Sequence, residues 1–162
     1  MSDVFAASAK NQLNDSLAEL RTAVEGASPE MLNRQPGGDG TNSIAVLVIH
    51  ATTSTRWWLS LAVGAALPGR DRDSEFVATS PDAASLLAFI DSMNADCDRL
   101  LDGASDLDWS AVRQTGARPK AADGSEVPAA WALLHALAHL REHVGQMLLT
   151  RQLLDRTWVA KP

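Results

Sequence analysis

Four helical stretches and little strand signal predict an all-α chain, an antiparallel four-helix bundle. Two observations carry that reading. Apolar residues recur at helical spacing in four long segments, and breaker-rich stretches separate those segments. At 162 residues the chain suits one domain over residues 1–162, and with 46% apolar residues it can bury a core.

The first helix is expected from residue 2 to about 25, with Phe5, Ala6, Leu13, Leu17, Leu20 and Val24 on its apolar face and Gly26 ending it. Ser28-Pro29-Glu30 reads as a cap followed by proline at the first position of a short turn. Pro36, Gly37 and Gly38 then open the chain again. Asn42 or Ser43 caps a second helix that stops near Gly64. It is apolar nearly all round, the pattern of a helix buried between neighbours or against a partner subunit. A long connection with alternating charges at Arg70, Asp71, Arg72 and Asp73 leads to Ser80-Pro81, expected to start a third helix that ends near Gly103. Between Gly103 and Pro128 no helical period holds, and the segment fits either a short strand pair or a structured loop. Ser125 to Pro128 starts the fourth helix, which continues to about Asp155.

Charge and leader segments narrow the function. Fourteen Lys and Arg against 20 Asp and Glu leave a formal charge of −6 with no basic block, which argues against nucleic acid as a partner. The first residues lack the basic and apolar regions of a secretory signal. No apolar window reaches membrane-spanning length, so no membrane partner is expected. One cysteine, Cys97, excludes an internal disulfide, and the whole fits a cytoplasmic protein. Cys97 sits beside Asp96 and Asp98, which raise a thiol pKa, and so reads as a small packed side chain rather than a nucleophile.

The fourth helix carries three of the four histidines, His135, His139 and His143, four residues apart. Each lies about 40° around and about 6 Å along the helix from the last. The outer two are therefore about 12 Å apart along the axis and cannot share one ion, whereas a neighbouring pair can. A third ligand must come from another helix, and the other histidine is His50. Spacing leaves two options: His50 with His139 and His143, or His50 with His135 and His139. Either leaves a position open for water or substrate, the arrangement of a reactive site.

Other motifs nearby carry less. His139-Leu-Arg-Glu142-His143 matches the H-x-x-E-H zinc-protease signature, but no glutamate follows to supply the downstream ligand, so a protease is rejected. Glu142 either faces the pocket or, as the blander reading, is an exposed partner of Arg141 or Arg151. Trp57 and Trp58, beyond His50 on the second helix, either wall a pocket above the site or pack between helices.

Asn42-Ser43-Ile44-Ala45 with His50, together with His139, His143, Gly145 and Gln146, resembles the DinB-like (damage-inducible) superfamily. The likeness spans nearly the whole chain. The segment Gly69 to Phe76 and the late Trp158 resemble a bacterial subgroup of it. The resemblance implies a four-helix bundle with long crossovers, a homodimer, and a divalent metal on three histidines. By matching position the metal ligands are His50, His139 and His143, and His135 lies outside them. Zinc and nickel both suit three neutral imidazoles. Glu142 departs from the aromatic or small polar residue usual there. Some relatives act with low-molecular-weight thiols such as mycothiol or bacillithiol, as isomerases or S-transferases.

Two functions compete on these readings. The first is a metal-dependent enzyme acting on a small-molecule substrate, by thiol transfer to an electrophile or by hydrolysis. In it Arg70, Arg72 or Arg141 would position an anionic group, unless they are surface residues. The second is a non-catalytic, dimeric metal- or ligand-binding protein of a stress response.

Overall fold

Short polar side chains set where the helices begin. The computed structural model describes residues 2–116 and 126–159, with side chains from residue 4 onward. Helix α1 (Ser2–Val24) gives way to Gly26 in the left-handed region, φ 68°. Helix α2 (Pro29–Asn33) is a single capped turn: the Met31 amide donates to Ser28 Oγ at 3.2 Å and Pro29 sits at the first position. After a 3-10 turn at Gly38–Gly40, α3 (Ile44–Val63) opens on Ser43, whose Oγ accepts from the Val46 amide. It ends on Gly64 at φ 75°. Between the two options for its cap, Ser43 is the one used.

Two features of the following connection differ from expectation. Residues Arg72–Glu75 form a one-turn helix, α4, capped by Asp71. The third long helix, α5 (Ala83–Asp102), starts two residues later than Ser80-Pro81 suggests. Asp82 is its cap, accepting from the Ser85 amide at 2.7 Å, while Ser80 Oγ donates to the Asp82 carbonyl at 2.9 Å. Beyond Gly103, β1 (Val112–Gln114) pairs antiparallel with β2 (Glu126–Pro128), so the strand-pair option holds. Helix α6 (Ala129–Leu154) follows with Pro128 at its cap; Ser125 lies outside the described residues.

The fold is mostly helical, and each long helix packs against two others. α3 lies against α6 and α5, and α1 lies against the same two. Contacts give the directions. His50 and Trp58 of α3 meet His143 and Trp131 of α6, so that pair is antiparallel. Lys10 and Arg21 of α1 pair with Asp102 and Asp91 of α5, again antiparallel. Across α1 and α6 the order is parallel: Phe5 lies by Ala130, and Glu19 accepts from Arg141 at 2.8 Å. α3 and α5 are also parallel, with Arg56 by Asp96 and Ser60 by Leu100, so the connection over residues 64–82 runs back along the helices.

α3 is buried nearly all round, as its composition requires, with Ile44, Val48 and Leu59 fully enclosed. α6 turns Leu133, Leu140, Val144 and Met147 to the same core. No helix among the described residues is long and apolar enough to cross a membrane.

Candidate metal centre

The contact between α3 and α6 brings three histidines together. His139 and His143, one turn apart on the flank of α6, meet His50 from the middle of α3. One nitrogen from each ring lies within 4.8 Å of the others. His135 is not in that group. Its ring stacks on Trp131 at 4.9 Å and meets the edge of Trp58 at 4.4 Å. Trp58 packs against His135, Trp131 and Trp57, an aromatic cluster between the helices.

Ring orientation follows from what the outer nitrogens touch. His50 Nδ1 lies 2.8 Å from Glu75 Oε2, and a carboxylate only accepts, so Nδ1 carries a proton and Nε2 is the nitrogen left for a metal. His143 Nδ1 lies 2.8 Å from Gln146 Oε1, with the Gln146 amide nitrogen turned to Glu142, which makes Nδ1 the donor here as well. His139 is held by packing alone, since its Nδ1 is buried with no hydrogen-bond partner. The Nε2 atoms of His139 and His143 stand 3.2 Å apart. Two imidazole nitrogens sharing a tetrahedral ion at about 2.0–2.1 Å would be about 3.3 Å apart. Donor type, orientation and spacing all fit a divalent cation.

Behind His50 sits a second layer that the sequence does not single out. Glu75, 4% exposed, is gripped by Arg70: Nε donates to Oε1 at 2.5 Å and Nη2 to Oε2 at 2.7 Å. Burial alone would push the Glu75 carboxyl up, but the hydrogen bonds from Arg70 and His50 outweigh it and hold the group below the usual range. Phe76 packs on the His50 ring at 4.6 Å, with the Arg72 guanidinium over its own face. The segment from Arg70 to Phe76 is therefore a clasp that fixes one histidine in orientation. One signal for it exists in the sequence, the charge-dense Arg-Asp-Arg-Asp-Ser-Glu run, though nothing there says which acid faces inward.

These contacts reassign the three arginines. Arg70 is buried against Glu75, Arg72 covers Phe76, and Arg141 pairs with the exposed Glu19. Glu142 accepts from Gln146 rather than pairing with Arg141 or Arg151. Cys97 is buried and its thiol is pushed up to about 12 by desolvation and by Asp96, which matches the packing role expected of it.

Electrostatics favour neutral rings at His139 and His143. Desolvation, then the proximity of His143, His50 and His135, pulls His139 down to about 3. Burial also lowers His143, against an opposing hydrogen bond from Gln146. An unfolded histidine titrates near about 6.5. Below that pH the unfolded chain takes up a proton that folded His139 refuses, so its contribution to stability is present above about 6.5 and falls as the pH drops toward 3. Thermal melts of metal-stripped protein are expected to show a falling midpoint from pH 7 to pH 5, and a His139→Ala variant a shallower fall. Equal slopes would contradict the neutral His139.

A mostly helical chain with three converging imidazoles on two helices defines a class, and comparison with known proteins places it. The DinB superfamily model matches residues 12–147, so this chain belongs to the DinB superfamily. Its fold resembles the crystal structure of a conserved protein from Enterococcus faecalis, with a TM-score of 0.71 at 14% identity, covering 91% of this chain and 95% of that one. That likeness is one of fold. A comparison with curated proteins finds no match.

Proposed function

We propose that this chain holds one divalent metal ion, zinc or nickel, on Nε2 of His50, His139 and His143. With it the protein acts on a small-molecule substrate, a low-molecular-weight thiol being the attacking partner. The observation carrying this reading is the convergence of three imidazole nitrogens within 4.8 Å, two of them oriented by Glu75 and Gln146. An ion bound there supplies Lewis acidity, lowering the pKa of a thiol or water at its open position.

The chain's own residues favour thiol transfer over hydrolysis. Of the two carboxylates touching the cluster or its supports, Glu75 is locked between Arg70 and His50, and Glu142 is exposed and bound to Gln146. Neither is positioned as a general base for water. A thiol, acidic enough to ionise without a dedicated base, needs only binding and orientation. Phe76 on one side of His50 and the packed α3–α6 contact on the other keep bulk water from those faces.

We also read the four long helices as one bundle with a long crossover over residues 64–82, forming a single domain over residues 1–162. The paired directions of α1 with α5 and α3 with α6 support that reading.

The test is turnover. Tag-free protein loaded with zinc or nickel is incubated with low-molecular-weight thiols and a panel of electrophiles, following thioether formation by mass spectrometry. Metal-dependent thioether formation is expected, with ester and amide substrates left intact. Metal binding with no turnover across the panel would leave the non-catalytic metal-binding alternative.

A further inference from the structure

A cleft between α3 and α5 carries polar groups that the rest of the chain leaves unused. Its volume is about 380 Å³, at the small end of the range for small-molecule sites. Arg56 and Ser60, one turn apart on α3, form one side, and Asp96, Arg99 and Leu100 of α5 form the other. Leu67 and Pro68, where the chain turns back after Gly64, close it. None of the three converging histidines lines it, so the cleft is separate from the metal centre.

Ser60 is the first sign of a ligand. The residue is 3% exposed and lines the cleft, yet its hydroxyl has no hydrogen bond to any described residue. By contrast Ser16 on α1 donates to the Gln12 carbonyl at 2.7 Å, and Thr52 on α3 donates to that of Val48 at 2.8 Å. A buried hydroxyl is normally bonded, because an unmade bond leaves the desolvation of the group uncompensated. Ser60 is free to bond a molecule in the cleft.

Charge is the second sign. Two arginines share Asp96: Arg56 Nε lies 2.9 Å from one carboxylate oxygen, and Arg99 Nη2 bonds the other. One carboxylate between two guanidiniums leaves a single net positive charge, and no other charged residue lines the cleft. Each arginine commits one nitrogen to Asp96, so the remaining donors of both forks are uncommitted. Such forks pair with oxyanions. Leu67, Pro68 and Leu100 make the rest of the wall apolar.

We propose that this cleft binds a small organic monocarboxylate. Its carboxylate is held by Arg56, Arg99 and the Ser60 hydroxyl, and its hydrocarbon body lies against Leu67, Pro68 and Leu100. One net positive charge matches a monoanion. Inorganic phosphate would bring more negative charge beside Asp96 and leave the apolar wall uncovered.

The test titrates the full chain, with and without zinc, with phenylacetate, following backbone amides by NMR. Shifts are expected at Ser60, Leu67 and Arg99, with the same affinity in both states. Phenylacetamide keeps the shape without the charge, and inorganic phosphate keeps the charge without the body; each is expected to bind at least about tenfold more weakly. Arg99→Gln is expected to weaken phenylacetate binding about tenfold or more, and Ser60→Ala about two- to tenfold. Arg99 is exposed and alanine suits a helix, so both variants should fold, which circular dichroism checks. Four results would each overturn the proposal: no phenylacetate binding, equal binding of phenylacetamide or phosphate, affinity unmoved by both substitutions, or binding seen only with zinc.

Discussion

Replacing His139 by alanine is expected to weaken metal binding at least about 100-fold while leaving the helices formed. Loss of a supporting hydrogen bond to a ligand typically costs 10–100-fold in affinity, and removal of a ligand itself costs more. His139 faces both other rings: its Nε2 stands 3.2 Å from that of His143, and its ring centroid lies 5.2 Å from that of His50. Without it, His50 and His143 remain as two donors on different helices. The fold should survive, since the substitution removes a desolvated imidazole whose Nδ1 has no partner to lose. His135→Ala is the control, because that ring stacks on Trp131 away from the three. Metal analysis of tag-free protein after dialysis should give one ion per chain for the parent and for His135→Ala, and far below one for His139→Ala.

Arg70→Met is expected to produce the largest loss of stability among single changes near the site. Both side chains of the Arg70–Glu75 pair are at most 4% exposed. Removing the guanidinium leaves a buried carboxylate facing only His50, and stranding one member of a buried pair costs about 3–5 kcal/mol. For a chain of this size that corresponds to a midpoint lower by on the order of 10 °C. The double variant Arg70→Met with Glu75→Gln should recover most of the loss, since no charge is then stranded and the glutamine oxygen can still accept from His50 Nδ1. Thermal melts of the parent, both single variants and the double variant decide it; additive losses would show the pair to be uncoupled. Glu75→Gln alone should also weaken metal binding 10–100-fold, because the anion that makes His50 a stronger donor is gone.

The helices and the His139–His143 pair were legible because both depend on local periodicity. A four-residue spacing puts two rings on one flank whatever the rest of the chain does, and Ser28, Ser43 and Gly64 mark ends through their own backbone chemistry. The choice of His50 with His139 and His143 over His135 with His139 was not in the spacing; it depends on how α3 slides along α6, which tertiary packing sets. Glu75 was hidden for the same reason. It lies 25 residues from His50 in a connection without period, among several equally acidic neighbours, and only the fold selects the one that turns inward. The start of α5 moved because Asp82 and Ser80 are both good caps and the sequence does not rank them in place. The β1–β2 pair spans three residues on each side, too few for alternation to be read.

X-ray absorption at the metal edge of loaded, tag-free protein tests the central claim most directly. Three imidazole nitrogens are expected at about 2.0–2.1 Å, falling to two or fewer in His50→Ala or His143→Ala, with one further light ligand exchangeable for sulfur when thiol is added. A first shell lacking imidazole, or one unchanged by those substitutions, would contradict it.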